Sequence, residues 1–362
     1  LLAQYQLLYF DLNISQNTIS YLPSLTGLRA VAATLVYIHH YNPFPANTWL
    51  HRIAQEGYIG VTLFFVLSGF VITWNYASRW PQSTFSLKDF YVARFARIFP
   101  LYWVLLLLLY TILIFKNGLT ILSWSDFWAH VFLLKGWFPS LAFQGISQSW
   151  SLTVEVGFYV LAPWWIRIVT QQKWIQILGL FAFFLISLCV FYSPNLAFGS
   201  FYTLLGRFFE FSVGIFIALS CSHASTSHQP RYATILGILL SVAIVGMYVM
   251  AIDEYHFPAF QVEWILYNIC LPLSLGLLLT GLVKEATFIH KLLSHKWFVL
   301  LGKASYAFYL IHLGPFPVVI QRFITTQKLG QFILLWMLAM VFYFFIEKPL
   351  QQGIIKHAKS SD

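Results

Sequence analysis

The stretch Ile98-Phe-Pro-Leu-Tyr-Trp-Val-Leu-Leu-Leu-Leu-Leu-Tyr-Thr-Ile-Leu-Ile-Phe115 runs for 18 residues without a charge. As a helix rising 1.5 Å per residue it measures about 27 Å, close to the ~30 Å hydrocarbon core of a bilayer. Nine further stretches read the same way: 26–44, 58–78, 149–169, 174–193, 201–221, 233–252, 262–282, 299–320 and 330–347. The apolar piece Phe127–Leu134 is too short to span and predicts an interfacial helix. The expected fold is therefore all-α: a polytopic integral membrane protein with about ten transmembrane helices around a polar cavity. Composition agrees. Of 362 residues 59% are hydrophobic and 9% charged, against about 25% charged in soluble domains. Too few polar side chains exist to cover a water-facing surface, which excludes soluble, disordered and disulfide-scaffold classes.

The charged residues carry topology. The net charge is +9, from 21 Lys and Arg and 12 Asp and Glu. No polybasic run is present, so no nucleic-acid partner is expected. With a cytoplasmic N-terminus, the inner loops hold 13 Lys and Arg and the outer loops 5. This bias predicts both termini on the cytoplasmic side. Residues 1–20 read as a juxtamembrane or disordered segment and 351–362 as a cytoplasmic tail. Cys189, Cys221 and Cys270 lie in or beside apolar segments without C-x-x-C spacing, and the loop histidines His223, His228, His256, His290 and His295 show no ligand spacing. No metal site is expected.

Ionisable groups inside a bilayer are costly and by default face a cavity or a partner. The spans contain Arg29, His39, His40, Glu155, Arg207, Glu210 and His312. Arg29 and His40 are eleven residues apart, close to three helical turns, so they share a face and lie about 17 Å apart along it. The bland alternatives are a snorkelling anchor for Arg29 and an interfacial ring for His40. Arg94 and Arg97, at i and i+3 just outside the third span, form paired guanidinium forks suited to phosphates. They read equally well as topology anchors, and Pro100 is expected to end or kink their turn. Glu155, with Tyr159 at i+4 and Ser151 one turn before, needs a partner, for which Arg29 or a histidine is the natural choice. Arg207 and Glu210 predict an internal ion pair. Ser305, Tyr309 and His312 form a polar stripe at i, i+4 and i+7. Ser68 and Gly69 predict a packing notch.

Several of these stretches share a pattern. Leu25-Thr-Gly-Leu-Arg-Ala30 with His40 following, Phe64-Phe-Val-Leu-Ser-Gly-Phe70 and Arg94-Phe-Ala-Arg-Ile-Phe-Pro-Leu-Tyr102 stand in order along the first half. Ser149-Trp-Ser-Leu-Thr-Val-Glu-Val-Gly-Phe-Tyr159, Ser305-Tyr-Ala-Phe-Tyr-Leu-Ile-His312 and Ile346-Glu-Lys-Pro-Leu350 follow. In type and order they resemble the type 3 membrane acyltransferases, which O-acylate cell-envelope and exported carbohydrates. The family's opening motif usually has Asp where this chain has Thr26. The resemblance implies that 21–350 form a membrane acyltransferase domain in the inner (plasma) membrane. It implies acetyl-CoA or another acyl-CoA as donor and a carbohydrate as acceptor. Some members carry a fused outer esterase-like domain; here a periplasmic or extracellular partner is expected to complete the transfer, or the membrane domain suffices. On this reading His40, Glu155 and Arg29 are the catalytic candidates, and Arg94 and Arg97 bind the donor. Ser151, Tyr159, Tyr309 and His312 contact substrate or the developing oxyanion. Buried ions also fit a proton-coupled transporter or exporter of a carbohydrate or lipid-linked sugar; a glycosyltransferase using a lipid-phosphate donor would want an acidic motif in an outer loop, and Asp253-Glu254 is too isolated to carry one.

Overall fold

The computed structural model describes residues 21–77, 86–117, 123–171, 173–223, 231–255 and 259–360. The segment 1–20, Arg79, His228 and His256 lie outside them. Among the described residues there are helices and turns and no strand. The principal helices are α1 (Pro23–His40), α2 (Ile59–Tyr76), α3 (Leu87–Asn117), α4 (Trp124–Val131), α5 (Trp150–Thr170) and α6 (Trp174–Tyr192). They continue as α7 (Leu204–His223), α8 (Ala233–Tyr255), α9 (Leu271–Lys284), α10 (Lys296–Ile311), α11 (Lys328–Phe342) and α12 (Lys348–Ser360). Single π-helical turns, Leu266–Cys270 and Tyr343–Glu347, precede α9 and α12. The last of these joins α11 to α12, so helix continues through the expected tail boundary to Ser360. The short helix α4 takes the place of the predicted interfacial piece.

Among the described residues eight helices are long and apolar enough to cross a membrane. The other two expected spans, 26–44 and 299–320, correspond to α1 and α10. The first is diluted by Arg29, His39 and His40, and the second is only 16 residues long. These two expected spans carry Arg29, His40, Ser305, Tyr309 and His312 of the candidate site. Large side chains on the surrounding helices point outward: Phe115 and Ile175 are each 88% exposed, as a lipid-facing surface requires.

Of the two outcomes expected at Pro100, an end or a kink, the first is corrected. Pro100 does not end a turn; α3 runs through it for 31 residues, so Arg94 and Arg97 sit within one long candidate span, Leu87–Lys116. Tyr306 on α10 packs against this stretch, its hydroxyl donating to the Ile98 carbonyl at 2.7 Å.

Without a hydrophobic driving force between helices in lipid, close packing depends on small residues. The predicted notch does this work between α2 and α7. A methyl group on Gly69 would overlap the Phe211 carbonyl oxygen, and one on Gly214 the Val66 carbonyl oxygen. Likewise α10 lies against α1 at Gly302, where a methyl group would overlap the Thr26 carbonyl oxygen. This second contact sits one turn below Arg29 and Ser305 and sets how far apart they stand.

Candidate active site

α1, α5 and α10 converge, with α3 and the π turn before α12 closing one end. Arg97 on α3 is ion-paired with Glu347, which is only 2% exposed. The Arg97 guanidinium also lies 5.4 Å from the Tyr306 ring centroid. Arg94, one turn earlier, has different surroundings. Its guanidinium lies 5.6–5.9 Å from the rings of Tyr159, Tyr76 and Phe90, and its Nε is buried without a hydrogen-bond partner among the described residues. The two arginines expected to act as one pair of forks are therefore differently committed.

One level further in, the Tyr159 hydroxyl donates to Glu155. The carboxylate expected to pair with Arg29 or a histidine takes its hydrogen bond from its own helix, because i+4 brings Tyr159 over it. Arg29 instead reaches Ser305, Nε to Oγ 3.5 Å, and lies over Phe64 with 5.7 Å to the centroid. The charges remain coupled, since Glu155 and Glu347 both act on Arg29 and Arg97.

The stripe on α10 forms as predicted. Ser305 faces Arg29, and the Tyr309 and Ser151 hydroxyls are 2.8 Å apart. Each also lies 3.1 Å from the Gln148 carbonyl oxygen, an alternative acceptor for its single proton, and Gln148 Nε2 donates to the Leu310 carbonyl at 2.6 Å. Beyond them His312, 1% exposed, has its ring 5.3 Å from that of His40. His40 is exposed, and the ring of His39 lies 4.7 Å from it, with Nδ1 against the Gln55 carbonyl. A file of polar groups thus runs from Arg94, Arg97 and Glu347 past Arg29 and Glu155 to the two histidines, inside an apolar bundle.

The loop leading to Gln148 has its own anchor. The Lys135 side chain is fully buried and donates to the carbonyls of Gln144 and Ile146, the latter at 2.8 Å. Burial pushes its amine down to about 7. Nearby, burial first and then the Lys135 charge push His130 down to about 4. Tyr110 meets His130 Nδ1 at 2.9 Å.

Arg207 and Glu210 form the predicted internal pair away from this file. Glu347, Tyr306, Gln148 and Lys135 did not stand out from spacing. A signal existed for Glu347, which closes an apolar run and carries a charge just before Lys348-Pro349. Among the described residues no three His, Cys, Asp or Glu side chains gather as a metal cluster.

The profile of the type 3 acyltransferase domain matches residues 22–346. The chain belongs to that family. It is 26% identical to the peptidoglycan O-acetyltransferase OatA of Listeria monocytogenes, over 94% of this chain and 57% of that protein. It is 27% identical to a Staphylococcus aureus protein assigned as an O-acetyltransferase, over 93% of this chain and 58% of the other. With the acyltransferase MdmB of Streptomyces mycarofaciens it shares 34% identity over 41% of this chain and 40% of that protein. The chain thus spans under three fifths of the length of these relatives. No solved structure matches it at a significant level.

Proposed function

We propose that the protein is a membrane-bound O-acyltransferase that moves an acyl group, most simply acetyl, from acyl-CoA to a hydroxyl of a cell-envelope or exported carbohydrate. The observation that carries this reading is the polar file ending at His40 and His312, set in a chain of the acyltransferase family. The names of the O-acetyltransferase relatives support the hydroxyl acceptor. Both termini face the cytoplasm of the plasma (inner) membrane, which puts Arg94 and Arg97 on the side that supplies the coenzyme. Arg94 meets the phosphates of the donor first, since Glu347 already engages Arg97. Arg29 and Glu155 orient the thioester. The Ser151 and Tyr309 hydroxyls face the developing oxyanion. His40, at the exposed end, takes the proton of the attacking hydroxyl. Overall the acyl C–S bond is exchanged for a C–O bond, and the thiolate takes up a proton. A periplasmic or extracellular partner receives or presents the carbohydrate.

The test uses membranes and acetyl-CoA labelled in the acetyl group. Label on envelope carbohydrate, with release of free CoA, is the expected result. Carbohydrate uptake without CoA turnover would make the protein a transporter instead.

A further inference from the structure

Two histidines of opposite character end the file. His312 is 1% exposed, and its Nδ1 lies 2.7 Å from the Tyr309 carbonyl oxygen. A carbonyl only accepts, so the neutral ring keeps its proton on Nδ1 and leaves a lone pair on Nε2. That Nε2 is buried and has no hydrogen-bond partner among the described residues. A buried polar atom left unpaired calls for an explanation, and a reacting ligand is one. The rings of Tyr309 and Phe308, at 5.5 and 6.3 Å, shield it from water. His40, 5.3 Å away, is exposed. A fixed, desolvated lone pair suits nucleophilic attack, whereas an open imidazole suits proton exchange with water.

Building on the O-acyltransferase reading, we propose that His312 Nε2 carries the acyl group as a covalent intermediate, with His40 the base for its release. In the first step the Nε2 lone pair attacks the thioester carbon. The N–C bond forms, the C–S bond breaks, and CoA leaves as a thiolate that takes a proton from water on the donor side. The ring is now an acylimidazolium, whose Nδ1–H remains bonded to the Tyr309 carbonyl. In the second step His40 removes the proton of the acceptor hydroxyl, and the oxygen attacks the acyl carbon. The C–O bond forms, the N–C bond returns its electrons to Nε2, and His40 passes its proton to water on its exposed side. Thioester and alcohol become ester and thiol, with the acyl group handed over between the two ends of the file.

The experiment incubates the full chain in membranes with labelled acetyl-CoA, quenches rapidly, and maps label by peptide mass spectrometry. In His40→Ala, and in His40→Gln should the alanine variant not fold, transfer to carbohydrate falls by about 100-fold or more. Label then accumulates on the peptide containing His312 and is released by neutral hydroxylamine. His312→Gln binds no label and transfers none. Wild-type transfer combined with no protein-bound label in the His40 variants overturns the intermediate, as does label on another residue or normal transfer by His312→Gln. Each of those results leaves the O-acyltransferase reading standing. A wild-type protein that never turns over acetyl-CoA overturns both.

Discussion

The bundle buries charge in two ways. Between α2 and α7, Arg207 and Glu210 are 2% and 0% exposed and pair with each other through one carboxylate oxygen, the other being left without a partner among the described residues. Thr62 donates to Glu210 at 3.1 Å, and Arg207 donates to Thr62 at 3.3 Å and to the Phe201 carbonyl at 2.7 Å. This cluster draws almost all its partners from two adjoining helices. The file along α1, α5 and α10 is built differently. It gathers groups from five segments and leaves Arg94 Nε, His312 Nε2 and one Glu347 oxygen without partners among the described residues. A local cluster, whose guanidinium and carboxylate already engage each other, fixes two helices together. An open file keeps donors and acceptors for molecules that come and go.

The largest expected effect separates the two. His40→Ala lowers label transfer to carbohydrate by about 10²–10⁴-fold with normal protein levels; retained transfer would remove His40 from the chemistry. Arg207→Met, by contrast, strands Glu210 in the interior and costs about 3–5 kcal/mol of stability. Folded yield in detergent should collapse, and the double variant Arg207→Met, Glu210→Met should recover most of it. Recovery of activity together with yield would mark the pair as packing alone.

Within the file the arginines should part company. Arg94→Ala should weaken acyl-CoA binding by about 10–100-fold, the worth of hydrogen bonds to a charged group, measured by titration at low salt. Arg97→Ala should mainly destabilise the protein, because Glu347 loses its cation. Equal losses of affinity would restore them to a joint role.

The smallest effect concerns Lys135. A neutral amine offers two N–H groups, and two carbonyls receive them. The native group titrates at about 7, against about 10.4 in an unfolded chain. Between those values the unfolded state holds the extra proton, so stability rises with pH through that window. The melting temperature in detergent should climb from pH 7 to 9, and Lys135→Met should flatten the climb.

Periodicity made much of this legible. The Arg29–His40 face, the Ser305–Tyr309–His312 stripe and the Arg207–Glu210 pair are all separations within one helix, where geometry follows from spacing. Contacts between helices were not legible. The partner of Arg97 lies 250 positions away, and nothing local says which helix it will meet. Charge alone pairs Glu155 with a distant cation, whereas its own i+4 tyrosine supplies the hydrogen bond. Helix α3 runs through Pro100, and its neighbour there, Tyr306, bonded to the Ile98 carbonyl, lies 208 positions away.

Gly302 touches no reactant in any step above. Yet any side chain there would drive α10 off α1 at Thr26, one turn from Arg29 and Ser305. In a saturation mutagenesis screen scored by acetylated product, position 302 should look as intolerant as His40. Ranking positions by intolerance would therefore place a spacer among the chemists. Only a second readout, such as folded protein per cell, would tell the two apart.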